Sequence, residues 1–386
     1  MILLSLGGAA AALWLAILVA PWRPWSTRER LDPAPSALPA DDDLESVTAL
    51  VPARDEAAVI GRTVAALRAQ AAPVRIIVID DQSRDGTAEL ALRSGGERCE
   101  VVAGAPLPAG WVGKLWALEQ GLARVRTPLT LLLDADIELC PGVLAALLER
   151  RRRDGRQLVS LMARLQTTTS WDKLLVPAFV YFFKLLYPFR LSNSANRMVA
   201  AAAGGCVLVE TDVLAGVGAF GAFRDELIDD CALARRVKNA GGRTWIGLTH
   251  AAISHRAMST LGAVWDMVAR SAFAQLRFST SLLVACIAIL ALAFWIPLIG
   301  LIAGTALTRV ASAVALGAMI VTYIPVVRFY GLSPLWALTL PLAGSLYLLM
   351  TVSSAIRSWR GVRSRWKGRT YFARRETCGP EDPYAN

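Results

Sequence analysis

Apolar residues are concentrated towards the two ends of the chain. Residues 2–20 contain no charged side chain, and about 20 apolar residues suffice for a helix to cross a bilayer. A cleaved signal peptide is the alternative, but no basic residue precedes this segment and it is longer than such peptides need. Three arginines follow this segment within ten residues. By the positive-inside rule they place the C-terminal end of the segment in the cytoplasm and the N-terminus of the chain outside. We therefore predict a membrane anchor over residues 1–22 and a proline-rich linker over residues 23–45.

The C-terminal third contains three further apolar segments, near residues 281–302, 306–327 and 334–354. Each has the length and hydropathy of a membrane span. Three spans that leave the cytoplasm would end outside, whereas the basic residues that follow favour an end inside. Either the tail is an exception or one segment is re-entrant or interfacial, and Arg309, Pro297 and Pro325 point to the first two segments. We assign residues 281–356 to the membrane region and residues 357–386 to a basic tail.

Between the apolar ends, the hydrophobic pattern alternates between strands and helices. Strands are expected at residues 47–51, 74–79, 99–102 and 129–133, and helices at residues 56–69, 86–92 and 115–123. This alternation is typical of an α/β fold in which a mostly parallel sheet carries helices on both faces. We assign residues 46–280 to this domain. A broken apolar run at residues 174–189 is either a helix at the lipid interface or an ordinary buried helix.

The composition and charge support a membrane protein. Hydrophobic residues make up 55 % of the 386 residues and charged residues 19 %, with a mean hydropathy of +0.44. Soluble domains carry about 25 % charged residues, so a disordered chain, a small disulfide scaffold and a free cytosolic enzyme are excluded. Eight basic residues and no acid lie between Arg357 and Arg375, within a net charge of +10. Beside an apolar segment, this cluster is typical of binding to anionic phospholipid.

Several other classes of protein lack support. No nucleic-acid-binding motif accompanies the basic cluster, so nucleic acid is not an expected partner. The six cysteines show no CxxC spacing, which predicts free thiols and no zinc site. A phosphate-binding GxxxxGK[ST] loop is absent, and so is a GxGxxG motif after the first strand, which disfavours a P-loop NTPase and a dehydrogenase.

The first of three acidic clusters follows the strand expected at residues 74–79. Asp80 and Asp81 end this strand, and a turn with Asp85 and Gly86 comes next. Turn and helix-capping chemistry accounts for Asp85 in part. Because ligands bind beyond the carboxyl ends of parallel strands, we interpret Asp80 and Asp81 as candidates for hydrogen bonds with a base or a ribose.

The second cluster, Asp134 and Asp136, follows the leucine-rich strand at residues 129–133. In an extended chain, residues i and i+2 point to the same side, so we expect both carboxylates at one site. Two hard oxygen ligands beside a diphosphate suit Mg²⁺ or Mn²⁺. A lone D-x-D pattern occurs often by chance, but its place after a buried strand and downstream of the first cluster favours a metal site.

The third cluster, Asp229 and Asp230, opens a helix that Gly241 and Gly242 close. Stabilisation of the helix N-terminus by negative charge is the structural alternative. Adjacent side chains cannot face the same way, so one acid can cap the helix while the other faces the cleft. A carboxylate that faces an acceptor hydroxyl can serve as a general base.

The acidic clusters belong to a longer series of motifs. In chain order these are Val51-Pro-Ala-Arg54-Asp55-Glu56, Asp80-Asp81, Gly113-Lys114, Asp134-Ala-Asp136, Gly204-Gly205 and Asp229-Asp230. Their order and spacing resemble those of the inverting family-2 glycosyltransferases of GT-A fold, over nearly the whole chain. Residues 108–117, 200–206 and 227–236 resemble most the hopene-associated (hopanoid-associated) branch of that family. The resemblance implies a Rossmann-like α/β domain with a mixed, mostly parallel sheet, and transmembrane helices at both ends of the chain.

The resemblance also implies a role for each matching position. The nucleotide-sugar pocket would be lined by Pro52, Arg54, Glu56, Asp80, Asp81, Lys114, Asp134, Gly204 and Gly205. Asp134 and Asp136 would hold Mg²⁺ or Mn²⁺. Asp230 would be the catalytic base, with Asp229 at the position where the family usually has Glu. Gln275 and Arg277 match, in compressed form and with Phe in place of Trp, a signature of membrane-embedded members near the acceptor, and this departure disfavours a processive polymerase.

The resemblance and the apolar segments together predict an enzyme that transfers sugar to a lipid. The donor would be a nucleotide-sugar, with a UDP-sugar favoured over a GDP-sugar, and the acceptor a hopanoid-related lipid, with a ceramide-like lipid or a polyprenyl phosphate as the alternative. We expect a bacterial-type cytoplasmic membrane protein with its catalytic domain in the cytoplasm. A catalytically silent membrane scaffold of the same fold is the non-enzymatic alternative. We interpret His250 and His255 as surface-loop residues, with a role as metal ligands as the alternative.

Overall fold

The computed structural model describes residues 1–33, 47–70, 74–256, 258–366 and 369–372. It contains an α/β domain and a group of apolar helices. Most of the expected linker and the end of the basic tail, with Cys378, lie outside the described residues. The cysteines at positions 99, 140, 206, 231 and 286 are free thiols, as the sequence predicts.

The strands agree with the expected pattern where the hydrophobic signal is strong. Their bounds are β1 Val47–Ala53, β2 Arg75–Asp80, β3 Cys99–Ala103, β4 Leu129–Leu133, β5 Ile137–Leu139, β6 Leu158–Arg164, β7 Cys206–Glu210, β8 Thr244–Ser254, β9 Val362–Trp366 and β10 Arg369–Phe372. Every residue of β1 and β4 is buried. Each strand is apolar except for one threonine, and such nearly continuous apolar runs are typical of strands that are covered on both faces.

The first eight strands form one sheet in the order β3-β2-β1-β4-β7-β6-β8-β5. β1 pairs in parallel with β2 and β4, β2 with β3, and β6 with β8. β7 is antiparallel to β4 and β6, and β5 is antiparallel to β8. The expectation of a mixed, mostly parallel sheet is confirmed. β9 and β10 pair antiparallel in a separate two-stranded sheet.

The helices cover the sheet and form the apolar group. Their bounds are α1 Ile2–Val19, α2 Ile60–Arg68, α3 Thr87–Gly95, α4 Gly113–Leu122, α5 Val143–Asp154, α6 Ser170–Leu186, α7 Phe189–Ser192, α8 Thr211–Gly216, α9 Asp229–Asn239, α10 Leu261–Ala269, α11 Ala272–Gln275, α12 Thr280–Leu290, α13 Ile296–Ala303, α14 Ala306–Phe329 and α15 Leu340–Trp359. A π-helical segment, Ala291–Trp295, joins α12 to α13. A 3₁₀ segment, Pro334–Thr339, precedes α15.

The two faces of the sheet bury alternate residues of the same strands. Val51 of β1 packs in a core with α2, α3 and α5, whereas its neighbour Leu50 packs in a second core with α4 and α9. Side chains along a strand alternate between faces, so β1 contributes to both cores. The expectation of helices on both faces of the sheet is confirmed.

Within the part of the chain that the structure describes, four apolar helical segments are long enough to cross a membrane. They are Ile2–Val19, Thr280–Ala303, Ala306–Phe329 and Pro334–Trp359. The first three pack together, since the indole N–H of Trp14 donates to the carbonyl of Ala293 at 2.9 Å and Ser312 of α14 lies against both Gly7 and Gly300. These segments agree with the expected apolar spans to within a few residues.

The last apolar segment is arranged differently. The ring of Phe294, beyond the middle of its segment, lies against Gly344 near the start of α15. Leu283, near the start of the same segment, packs with Ala355 near the end of α15. At its end α15 reaches α10, where Arg357 pairs with Asp266 at 2.8 Å. The segment therefore starts partway along its neighbours and ends at the α/β domain.

Helix α6 joins the domain to the apolar helices. The hydroxyl of Tyr181 lies 2.8 Å from that of Thr322 in α14, and Tyr347 of α15 donates to the carbonyl of Leu175 at 2.9 Å. Thr169 and Asp172 form a capping box at its start, which satisfies the free N–H groups there. The central residues of α6 are buried against α14 and α15, so α6 is a buried helix. This agrees with the second of the two alternatives for residues 174–189, an ordinary buried helix.

Candidate active site

The functional side chains meet in one cleft at the carboxyl ends of β1 and β4, beside the start of α9. An inner and an outer part share Pro52, Lys114, Asp134 and Asp229. The inner part is further lined by Leu118, Leu132, Leu133, Gly204, Val207, Phe220, Phe223, Asp230 and Leu233. The outer part is further lined by Glu56, Val112, Ala135, Asp136, Glu226, Leu227, Arg256 and Arg270.

The topology of the sheet brings residues distant in sequence to this edge. β1 and β4 are parallel neighbours, so Pro52 and Asp134 lie at the same end of the sheet. β7 pairs antiparallel with β4, and the N–H of Asp134 donates to the carbonyl of Gly205 at 3.1 Å. The expected glycine pair therefore lies beside the second acidic cluster.

Lys114 connects the second and third acidic clusters. Its ammonium Nζ lies 2.8 Å from Oδ1 of Asp134 and 3.3 Å from Oδ2 of Asp229. Burial alone would lower the pKa of Lys114, but the two carboxylates outweigh it and hold this pKa above its usual range. Lys114 is therefore a permanent cation at the centre of the cleft.

Asp230 is held by backbone donors at the start of α9. The N–H of Gly204 donates to Oδ2 at 2.8 Å, and the N–H of Cys231 donates to Oδ1 at 2.7 Å. Burial, reinforced by the charge of Asp229, raises the pKa of Asp230 to about 6, although Lys114 and the backbone donors oppose this shift. A carboxylate whose pKa is raised towards the working pH is suited to take up a proton.

Gly204 has a packing reason to be glycine. A Cβ atom built there would lie 3.1 Å from Nζ of Lys114 and 3.4 Å from Oδ2 of Asp230. The missing side chain thus lets the backbone approach both charged groups.

Asp134 and Asp136 line the same cleft, but not because the chain between them is extended as expected. They lie in a turn between β4 and β5, in which the N–H of Ile137 donates to the carbonyl of Asp134 at 3.1 Å. The assumption of an extended chain is therefore wrong. The buried carboxylate of Asp136 accepts a hydrogen bond from Ser254 at 2.8 Å and lies 3.7 Å from Nε of Arg256.

The donor set of the cleft fits a hard divalent cation that keeps other ligands. Among the residues that the structure describes, no group of three or more His, Cys, Asp or Glu side chains could hold a metal ion. Mg²⁺ binds through one or two carboxylates together with phosphate and water. Asp134 and Asp136, which line the same outer part of the cleft, match this chemistry.

The residues expected at the nucleotide pocket lie at the ends of β1 and β2. Pro52 and Glu56 line the cleft. Arg54 donates to the carbonyl of Asp81 at 2.6 Å, and the Asp81 side chain is buried. Asp80 accepts a backbone hydrogen bond from residue 83 at 3.3 Å, which is turn chemistry and leaves its part in ligand binding a prediction.

The turn after Asp81 confirms the capping interpretation. Asp85 accepts hydrogen bonds from the backbone N–H of Ala57 at 2.9 Å and of Thr87 at 3.1 Å. Desolvation acts to raise the pKa of Asp85, but these bonds and a third from the Thr87 hydroxyl outweigh it and lower that pKa. Asp85 therefore fixes the loop that precedes α3.

The expectation of a surface-loop residue is wrong for His250, which lies within β8, while His255 lies in the segment directly after β8 with its side chain 14 % exposed. The ring of His250 on β8 stacks on Phe329 with centroids 4.2 Å apart, and its Nε2 lies 2.8 Å from the Phe329 carbonyl. Nε2 of His255 lies 2.6 Å from the Glu138 carboxylate. The backbone N–H of His255 donates to the carbonyl of Asp136 at 2.8 Å, so His255 is beside the cleft while its ring is paired with Glu138.

Gln275 and Arg277 do not line either part of the cleft. Gln275 exchanges hydrogen bonds with the hydroxyl of Tyr187, at 2.7 and 3.0 Å, and so ties α11 to the end of α6. Arg277 follows α11 with a φ of 52°. Gln275 is thus bound to Tyr187 outside the described cleft and Arg277 is exposed, and their expected place near the acceptor stays a prediction.

Two basic residues of the cleft were not predicted from the sequence. Arg256 follows β8 directly, and Arg270 lies in the turn between α10 and α11. Burial and the neighbouring Arg256 lower the pKa of Arg270, while Asp229, Asp134 and Asp230 oppose that shift. A basic residue directly after a long buried strand was the available signal for Arg256, whereas Arg270 has no local pattern that distinguishes it.

Comparison with known proteins identifies related sequences. The model of the family described as "Glycosyltransferase like family 2" matches residues 45–275. A 4,4'-diaponeurosporenoate glycosyltransferase of Staphylococcus haemolyticus (strain JCSC1435) is 33 % identical over 95 residues. That of Staphylococcus aureus (strain bovine RF122 / ET3-1) is 36 % identical over 93 residues. The alignments span only 25 % and 24 % of this chain, and the same shares of the relatives.

A solved structure shares the fold over most of the chain. A mannosyltransferase from Pyrobaculum calidifontis, in complex with GDP-Man and Mn²⁺, superposes with a TM-score of 0.52 and 16 % identity. The match covers 92 % of this chain and 98 % of that one. At this identity the similarity shows the fold, which is GT-A.

Proposed function

The chain belongs to glycosyltransferase-like family 2, and we propose that it is a membrane-bound, metal-dependent inverting enzyme that moves a sugar from a nucleotide-sugar to a lipid. The observation that carries this proposal is the cluster in which Lys114 joins Asp134 and Asp229, with Asp230 beside them. One cleft thus holds candidate groups for donor binding and for proton removal. Fold alone would not support this conclusion, because one fold hosts many activities.

The proposed mechanism is a single displacement. Asp230 takes the proton of the acceptor hydroxyl as the oxygen attacks the anomeric carbon, and the nucleoside diphosphate leaves from the opposite side, which inverts the configuration. Asp134 and Asp136 would hold a divalent cation, which when bound supplies neutralising charge for the leaving group. Pro52, Arg54, Glu56, Asp80 and Asp81 would position the nucleotide.

A lipid acceptor is supported by the packing around the base. One apolar cluster includes Trp14 of α1, Tyr181 of α6 and Cys231, which directly follows Asp230. The residue after the proposed base therefore belongs to the same apolar cluster as the helices that carry the apolar segments. The two curated relatives are named for 4,4'-diaponeurosporenoate, a lipid-like acceptor. We propose a hopanoid-related lipid, with a ceramide-like lipid or a polyprenyl phosphate as the alternative.

The proposed topology places the domain in the cytoplasm of a bacterial cell. Arg190 donates to the carbonyl of Pro21 just after α1, and His250 contacts the end of α14. The end of α15 also contacts the domain, through Arg357. We infer three full spans and a re-entrant last segment, which leaves the basic tail on the cytoplasmic side next to anionic lipid. The proposed re-entrant segment is therefore the third C-terminal apolar segment, whereas the sequence had pointed to the first or the second.

The experiment that tests the function combines purified protein with lipid analysis. The full chain in detergent is assayed with UDP- and GDP-sugars, Mn²⁺ and a bacterial lipid extract, and the glycolipid formed is compared with the one lost from a deletion strain. Asp230→Asn should abolish transfer, while Asp212→Asn, at an exposed acid of α8, should not. Equal transfer by the protein and its Asp230→Asn variant would contradict the proposed mechanism, and an unchanged set of glycolipids in the deletion strain would contradict the lipid acceptor.

A further inference from the structure

Lys114 occupies a position that helix stability does not explain. It lies in the first turn of α4, Gly113–Leu122, where the helix dipole favours negative and not positive charge. Its side chain is 21 % exposed and lies between Asp134 and Asp229. Its placement is therefore better accounted for by the carboxylates that it contacts than by the helix that carries it.

The contact with Asp134 competes with a metal ion. Nζ of Lys114 lies 2.8 Å from Oδ1 of Asp134, and a divalent cation on this carboxylate would bring a second cation next to the ammonium. Asp136 also has a cation nearby, since its carboxylate lies 3.7 Å from Nε of Arg256. Both carboxylates assigned to the metal thus lie next to cationic side chains of the protein itself.

A nucleoside diphosphate would remove this conflict. Its negative charge offers the ammonium a second partner, and the flexible stem of lysine lets the ammonium move towards it. Asp229, already 3.3 Å away, would retain the other side of the ammonium. The oxygen of Asp134 would then be free for the metal, and the diphosphate would supply further oxygen ligands.

We propose that Lys114 is an internal counter-ion of Asp134 that excludes a divalent cation from the donor-free site and yields this carboxylate when the nucleoside diphosphate binds. The proposal rests on the proposed function. It predicts that metal and nucleotide each increase the affinity for the other by the same factor. Without a bound nucleotide, the protein is therefore expected to bind the metal ion weakly.

The test measures Mn²⁺ binding directly, without any turnover. Free Mn²⁺ is followed by electron paramagnetic resonance as the full chain in detergent is titrated, with and without UDP or GDP. Lys114→Met should bind Mn²⁺ alone more tightly than the original protein does, by about 5- to 150-fold, the usual range of coupling between two ligands. Lys114→Arg keeps the cation and should keep the weak binding.

Arg270→Met is the matched control. It removes one positive charge from the same cleft, but Arg270 makes no hydrogen bond or ion pair with Asp134 in the described part of the chain. A gain in Mn²⁺ affinity that is confined to Lys114→Met would support the proposed counter-ion role of Lys114. An equal gain in both variants would show a general effect of charge in the cleft and would overturn the proposal. Thermal unfolding of each variant shows that it is folded.

The results also separate this inference from the proposed function. If the original protein binds UDP or GDP with Mn²⁺ but Lys114→Met gains no affinity for Mn²⁺ alone, only the counter-ion is refuted. The original protein provides a second test, because Mn²⁺ affinity that is unchanged by a bound nucleotide also refutes it. Failure to bind any nucleoside diphosphate, with or without Mn²⁺, would overturn both proposals.

Discussion

Asp230→Asn tests the proposed base through the dependence of the rate on pH. The carboxylate is half-buried beside Asp229, and desolvation with the charge of Asp229 raises its pKa to about 6. The base works only when ionised, so protonation at low pH removes activity and ionisation at higher pH restores it. Asparagine cannot take the proton, and a lost general base costs about 10²–10⁴ in rate.

The magnitude of the pH effect follows from the raised pKa. A carboxyl group with a pKa of about 6 is about nine-tenths ionised at pH 7 and about one-tenth ionised at pH 5. We therefore expect kcat/KM to fall about tenfold between pH 7 and pH 5. An exposed aspartate with an ordinary pKa of about 3.9 would stay more than nine-tenths ionised over this range.

The assay measures initial rates of transfer by the full chain between pH 5 and pH 8, at constant donor and Mn²⁺ concentration. Asp229→Asn removes a charge that raises the pKa of Asp230, so its acid limb should move to lower pH. Asp212→Asn should reproduce the original profile. A residual activity of Asp230→Asn within tenfold of the original, with the acid limb still present, would assign the base to another residue.

Three further predictions address the metal, the glycine and the membrane topology. Asp136→Asn should weaken nucleotide binding in the presence of Mn²⁺ but not in its absence, as calorimetry would show; equal weakening under both conditions contradicts a metal ligand. Gly204→Ala should reduce transfer about tenfold or more with little loss of stability. The added Cβ would lie 3.1 Å from Nζ of Lys114, and a 1 Å displacement of a catalytic group can reduce the rate about 10²-fold. Unchanged transfer rates would show that the ammonium moves aside freely. Thr305→Cys should react with an impermeant thiol reagent on intact cells and Arg360→Cys only after permeabilisation, with the unsubstituted chain as control; labelling of both on intact cells would indicate a fourth full span.

The elements with the strongest local signal could be predicted from the sequence. β4 matches its expected bounds at both ends because Leu129–Leu133 is leucine-rich and interrupted only by Thr130, and only a strand or helix covered on both sides can bury such a run. The turn around Asp134 and Asp136 could not be read in the same way. Ala135 between the two acids is compatible with a strand or a turn, and the hydrogen bond from Ile137 that closes the turn has no local pattern.

The parts of the site that depend on long-range packing were not predictable. Arg270 reaches the cleft from the turn between α10 and α11, which are distant in sequence from β1 and β4, and Gln275 lies away from the cleft because Tyr187 binds it there. The arrangement of α15 likewise depends on Phe294 and Arg357. Hydropathy gives the length of an apolar segment but not the depth at which it starts.

The contacts between the domain and the apolar helices argue against treating the helices as a simple anchor. Tyr181 and His250 of the domain bind Thr322 and Phe329 of α14, and Leu175 accepts a hydrogen bond from α15. Such bonds contribute about 1 kcal/mol each, and the cluster around them buries aromatic side chains from both parts. Domain and helices therefore share one core. Cys231, which directly follows Asp230, belongs to the same core, so the proposed base is next in sequence to the core that the domain shares with the apolar helices.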